Sequence, residues 1–286
     1  MRLLEPGAQP AVLADLPEAR VGWHPLAEIA RFVSKTLIIA ELEARKLKHD
    51  PTELITRAVQ PALWLLVFGQ VISRLRVFPT GNPNLRYLDF MAPGILAQSV
   101  LFIAIFYGIS IIWERDLGIV HKFLASPTPR AALVLGKALS AGVRGLSQAV
   151  IIYILALLMG VRVQWSPFSL IGVMCVVLLG AAFFSTLSLI IACLVKTRER
   201  FMGIGQIMTM PLFFASNAIY PISIMPKWLQ VVSHANPLTY EVDALRSLMI
   251  VGGTSAFGIG LDLLVLVGAT TLFVFIAARL YPTVVR

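Results

Sequence analysis

The chain has 286 residues, 58% hydrophobic and only 14% charged, with a net charge of +9 and a mean hydropathy of +0.83. Soluble domains carry about 25% charged residues, so the composition excludes an ordinary soluble fold and points to a bilayer as solvent. The basic residues cluster between apolar stretches, a topology signal more than a nucleic-acid footprint, and no nucleic-acid partner is expected.

The first residues, MRLLEPGAQPAVLADLPEAR, hold Pro6, Pro10, Pro17 and several acids. They offer no apolar core for a cleavable signal, so the N-terminus is expected to stay cytoplasmic. Within 26–49, Ile38, Ile39 and Leu42 share a helical face opposed by Lys35, Glu41, Arg45 and Lys48. An amphipathic helix with basic ends suits the inner membrane surface. Residues 1–53 are therefore expected to form a cytoplasmic tail with an interfacial helix, and 54–286 a membrane domain.

A spanning helix needs about 20 apolar residues, because hydrocarbon leaves no partner for free backbone groups. The chain supplies six such runs, at about 54–72, 90–112, 133–160, 168–195, 201–220 and 257–280. The first follows Asp50-Pro51, a good helix start. The third carries Lys137 and Arg144 in its opening part, which is expected to project toward the cytoplasm. Cys175 and Cys193 both fall in the fourth, and neither a disulfide framework nor a metal site follows from them. The sixth has Asp262 near its outer end, read as a boundary residue. With both termini inside, 18 of the 24 Lys and Arg lie on the cytoplasmic side, as the positive-inside rule requires. The expected fold is an all-α polytopic membrane protein with six transmembrane helices, N-in and C-in.

Two connecting segments have structure of their own. Residues 113–132 begin charged, continue with Leu117, Ile119, Val120, Phe123 and Leu124, and stop at Ser126-Pro127-Thr128-Pro129. This reads as a short amphipathic helix that could dock into a partner's groove. Residues 221–253 are too long and too amphipathic for a plain loop. Trp228, Leu229, Val231 and Val232 lie together. Asn236-Pro237 is an N-cap and first helical residue, and Val242, Leu245 and Met249 share the next face, with Glu241, Asp243 and Arg246 elsewhere. Two short outer re-entrant helices are expected here.

Catalytic chemistry is not written in the chain. Leu135-Gly136-Lys137-Ala138 lacks the rest of a P-loop, and His24, His49, His121 and His234 are scattered. No cofactor or metal is expected, and no catalytic residue is assigned. The spans carry almost no ionisable residues, whereas an ion-coupled transporter would be expected to carry some. Movement powered from outside the chain is the simplest completion. A passive channel or secondary transporter, a membrane-embedded lipid enzyme and an assembly scaffold remain as alternatives.

Pro93-Gly94-Ile95, Trp113-Glu114-Arg115-Asp116-Leu117-Gly118 and the run from Leu124 through Lys137 stand in one order. Gln60-Pro61-Ala62-Leu63-Trp64 with Phe68-Gly69 precedes them, and Asn236-Pro237-Leu238-Thr239-Tyr240 with Asp243-Ala244-Leu245-Arg246 follows. Together, over about 35–250, these segments resemble the ABC-2 type permeases, which include drug-resistance, Nod-factor and polysaccharide exporters, with the daunorubicin-resistance type nearest. His121-Lys122 stands where that family often has an Arg-Leu-like pair. The resemblance implies an inner-membrane exporter permease for a drug, lipid or lipid-linked glycan. It also implies a separate ATPase subunit that binds the ATP, and a homodimer or pairing with a paralogous permease. Trp113, Glu114, Arg115, Asp116, Gly118, His121, Lys122 and Phe123 would form the ATPase-coupling helix. Spans one, two and five would meet at the dimer seam, where Gly203, Gly205, Pro211, Ala215 and Ser216 allow close approach or a kink. The polar, uncharged Gln70, Gln98, Tyr107, Gln206, Thr209 and Asn217 are candidates for the translocation path or that seam.

Overall fold

A computed structural model describes residues 59–75, 85–120, 130–195 and 197–281, with Ser34, Glu41 and Thr56 besides. The expected tail and interfacial helix at 1–53 lie otherwise outside the described residues. Among the described residues the chain is helical, and β-structure is limited to one isolated bridge, Val163 to Ile250.

Residues 59–75 form α1, which widens into a π-helical stretch at Trp64–Gly69 and returns to α-helix at Gln70–Leu75. α2 (Tyr87–Tyr107) and α3 (Ile109–Asp116) run nearly end to end, separated only by Gly108. α4 (Arg130–Leu158), α5 (Pro167–Leu194) and α6 (Arg198–Phe214) follow. Two short helices, α7 (Lys227–Ala235) and α8 (Pro237–Met249), precede α9 (Ile259–Leu280). Four helical stretches are long and apolar enough to cross a membrane: Tyr87–Asp116, Arg130–Leu158, Pro167–Leu194 and Ile259–Leu280.

α2 is the hub. It packs against α1, α4, α5, α6 and α8, and nearly all its side chains are buried. Beyond Asp89 in its first turn it carries no charge and has no polar face, which is what a position surrounded by other helices demands. By contrast, α9 leaves Leu264, Val267, Leu272 and Phe275 exposed, as a lipid-facing helix would. Gly94 lets the turn after α6 seat directly on α2, because an added Cβ would collide with the Ala218 backbone. This accounts for the glycine of the Pro93-Gly94-Ile95 motif.

The direction of the helices defines two ends. α4 starts where Lys137 meets Glu114 of α3, and the turn beyond it, at Gly160, accepts a hydrogen bond from Arg86 just before α2. Below the Trp113 end, Ile111, Ile112, Leu133, Val134, Leu189, Phe201 and Tyr281 form their own apolar cluster, separate from the main core. That cluster fixes α3, α4, α5, α6 and α9 under the segment of interest.

α6 ends at Phe214, earlier than the expected boundary near Tyr220. The Asn236 amide donates to the Leu212 carbonyl at 2.7 Å and the Ala215 carbonyl at 3.4 Å. Its oxygen accepts from the Leu238 N–H at 3.0 Å. One side chain thus caps the start of α8 and meets the carbonyls left open at the end of α6.

Candidate functional site

α3 stops in a defined way. The Leu117 N–H donates to the Trp113 carbonyl at 3.0 Å, and the Gly118 N–H to that of Arg115 at 2.9 Å. Gly118 takes φ of +69°, the left-handed conformation that terminates helices and favours glycine. Its place in the Trp-Glu-Arg-Asp-Leu-Gly motif is therefore a helix stop.

The side chains of this motif tie three helices together. Glu114, partly buried, accepts from Lys137 Nζ of α4 at 2.6 Å. Asp116, exposed, accepts from Arg198 Nη2 at the start of α6 at 2.7 Å. Arg115 donates to Asp116 at 3.3 Å and reaches the Val195 carbonyl at 3.5 Å. The Arg198 guanidinium also lies 3.7 Å from the centre of the Trp113 ring, a cation–π distance. The hydrogen bond from Arg198, with smaller help from Arg115, holds the Asp116 carboxyl below the usual carboxylate range and outweighs the opposing effect of desolvation. Trp113 is still 49% exposed and Leu117 68%. The corner therefore presents apolar surface from a backbone that charge-assisted bonds hold in place. His121, Lys122 and Phe123 lie outside the described residues. Lys137 and Arg198 were not among the expected site residues. Their signal was a basic residue opposite each acid of the motif, which sequence order does not reveal.

The polar residues of the spans do not form one cluster. Gln98 lines a cavity of about 410 Å³ between α1, α2 and α4, together with Thr56, Gln60, Ser99, Phe102, Phe106 and Gln148. Among the described residues, no charged side chain lines it. Gln98 is 3% exposed, and its amide nitrogen has no hydrogen-bond partner among the described residues. Tyr107 lies under the Arg144 guanidinium at 5.2 Å. Thr209 is buried and donates back to the Gln206 carbonyl at 3.2 Å, whereas Gln70 and Gln206 are exposed. Asn217 sits at the opposite end from Trp113, where its carbonyl accepts from Arg246 at 2.6 Å. Sequence reasoning missed Gln60 and Gln148. Each is an amide in an apolar run, as Gln98 is, but only the packing of α1 and α4 on α2 brings them together.

At the Asn236 end, charges are buried. Asp89 accepts from the Arg86 side chain at 3.2 Å and the Arg162 N–H at 3.3 Å. Arg246 lies 3.8 Å over the Phe90 ring and 3.9 Å from Asp243. Asp243 accepts from Ser255 at 2.8 Å and from the Ala256 and Phe257 N–H groups at 2.7 and 3.1 Å. It thereby anchors the approach to α9. Asp262, read from sequence as a boundary residue, is buried and shares the Ser255 hydroxyl at 2.9 Å.

Residues 35–250 match the model of the ABC-2 type transporter family. The chain belongs to that family. It is 28% identical over 253 residues to the daunorubicin resistance ABC transporter permease protein DrrB1 of Streptomyces coeruleorubidus, covering 88% of this chain and 87% of the relative. Against ycf38 of Cyanophora paradoxa, named as a transport permease, identity is 29% over 219 residues, 76% of this chain and 74% of the relative. The inner membrane transport permease YadH of Escherichia coli K12 is 23% identical over 201 residues, 68% of this chain and 73% of the relative. With its apolar helices, this ABC-2 chain is a multi-pass transmembrane permease of an ABC transporter.

Proposed function

We propose that this permease exports a hydrophobic or amphipathic molecule across a bacterial inner membrane, powered by a separate ATPase subunit. In this reading the chain crosses six times with both termini inside. α1 and α6 supply the first and fifth crossings, α7 and α8 dip back from the outer face, and two permeases pair along α1, α2 and α6. The Trp113 end then faces the cytoplasm. The reading is carried by the braced corner, where Glu114–Lys137 and Asp116–Arg198 hold an exposed Trp113 and Leu117 at a helix stop. Such a rigid, partly apolar projection suits docking into a partner's groove. It would pass the ATPase's movement to α4 and α6 through the two ion pairs.

The cargo class follows from the cavity between α1, α2 and α4. Amides with aromatic and aliphatic walls, and no charge, suit a neutral amphiphile. The names of DrrB1 and YadH, which cite daunorubicin resistance and the inner membrane, favour a drug-like cargo and that location.

The test is co-expression with a candidate cognate ABC ATPase subunit. Wild-type permease should retain that ATPase through purification, and Glu114→Arg should lose both it and ATP-dependent export. Full association and export by Glu114→Arg would remove the coupling assignment. Export by the purified permease alone would favour a channel or secondary transporter.

A further inference from the structure

Glu241 of α8 stands apart from the other buried acids. It is 0% exposed, and neither carboxyl oxygen has a hydrogen-bond partner among the described residues. Its carboxyl lies flat against Gly180 on α5, where an added methyl would overlap it. Gly180 is near the middle of Pro167–Leu194. The acid is therefore held at the depth of a helix that carries no Asp, Glu, Lys, Arg or His.

The groups around it are occupied elsewhere. α8 packs against α2, α5, α7 and α9. On α2, Asp89 is held by Arg86 and Arg162, Tyr87 donates to the Ile219 carbonyl and Tyr107 lies under Arg144. α5 offers only Cys175 and Cys193. On α7, His234 contacts the Gln230 carbonyl at 2.6 Å, and Lys227 is exposed. On α9, Asp262 takes Ser255, and Arg279 lies over Phe275. Within α8, Tyr240 donates to the His234 carbonyl, Asp243 holds 255–257, and Arg246 bonds the Asn217 carbonyl. None of these contacts supplies Glu241 with a counter-ion. An ionised carboxylate without donors is strongly disfavoured in such a place, and the neutral acid is the form that fits. Burial accordingly pushes the Glu241 carboxyl well above the usual carboxylate range.

We propose that Glu241 is a proton-binding site: the neutral acid holds α8 against α5, and loss of its proton drives the two helices apart. The sign follows from linkage. The packed state binds the proton more tightly than the separated state. Its advantage is full below the separated-state pKa and is lost as pH rises through the packed-state value. Between the two values the ratio of packed to separated forms falls up to tenfold per pH unit, and above the packed-state value it levels off. If α7 and α8 close the exit, as the exporter reading has it, deprotonation opens that side; the proton site itself does not depend on that reading.

The test uses purified full-length permease in nanodiscs, without ATPase or cargo, so its outcome is separate from that of the exporter reading. Infrared spectra at neutral pH should contain the carbonyl stretch of a neutral carboxylic acid that is missing in Glu241→Gln. Hydrogen exchange of α8 amides, corrected for intrinsic rates, should accelerate up to tenfold per pH unit as pH rises toward the packed-state pKa and then level off for wild type, and stay flat for Glu241→Gln. Gly180→Ala, which crowds the carboxyl, should move that transition to lower pH. Identical infrared spectra, or the same alkaline acceleration in Glu241→Gln, would overturn the proposal.

Discussion

The two ends of this permease use charge in opposite ways. At the Trp113 end, Asp116 and Arg198 pair near the surface, where water and salt compete with them and their net contribution to folding is small, and Glu114–Lys137 lies partly sheltered beside them. At the Asn236 end, Asp89, Asp243 and Arg246 are buried, and each holds backbone as well as a counter-charge. Removing one such partner leaves the other uncompensated, which is the costly case. The Trp-Glu-Arg-Asp and Asn-Pro-Leu-Thr-Tyr motifs therefore do different work. The first holds Trp113 and Leu117 exposed at a helix stop, and the second ties α6 and α8 together.

The largest test of this contrast is Arg246→Ala. It should destabilise the permease by about 3–5 kcal/mol, because Asp243 loses its counter-charge and the Asn217 carbonyl its donor, and thermal unfolding in detergent would measure it. A melt close to wild type would mean the buried network is not structural. Asn236→Ala should cost about 1–2 kcal/mol by removing a helix cap and two carbonyl ties, with Asn236→Asp recovering only the cap. Glu114→Arg should shift the melt by only about 1 kcal/mol, and adding Lys137→Glu should restore ATPase retention that the single change loses. If the reversed pair stays inactive, the geometry of the 2.6 Å contact matters less than the identity of Glu114 to the partner. Arg198→Ala should have the smallest effect, a salt-dependent change in Trp113 emission, isolated by subtracting Trp113→Phe. The same signal reports Asp116. Its lowered pKa means the contact persists above the ordinary carboxylate range and is lost only as pH falls through the lowered value. Emission should therefore hold from neutral into mild acid, and an early change would place Asp116 outside the corner.

Much of this was legible in the sequence because it is local. Long apolar runs announce α2, α5 and α9, and Asn236-Pro237 announces the start of α8 through cap chemistry that the structure repeats. The break at Gly118 was not legible: the sequence pattern carries the short helix on to Ser126-Pro127-Thr128-Pro129, whereas α3 stops at Asp116 and Gly118 turns left-handed. What else stayed hidden is non-local. Nothing near Glu114 in the chain indicates that Lys137 closes on it, and Gln60, Gln98 and Gln148 share a cavity only because α1 and α4 both pack on α2. The spans looked nearly free of ionisable groups because α8 is too short to count as one. Folding back among the long helices, it brings Glu241 and Arg246 into their midst.

The early stop of α6 has a consequence for its evolution. Its 17 residues rise about 26 Å, short of a hydrocarbon core of roughly 30 Å. The remaining stretch, Ala215 to Tyr220, is not helical, and its carbonyls are met by Asn236, by Arg246 and by the Tyr87 hydroxyl. A chimera that grafts α6 alone from a relative would separate the turn after α6 from the donors that hydrogen-bond its carbonyls. Only a graft carrying α2, α6 and α8 together would arrive with its own hydrogen-bond supply.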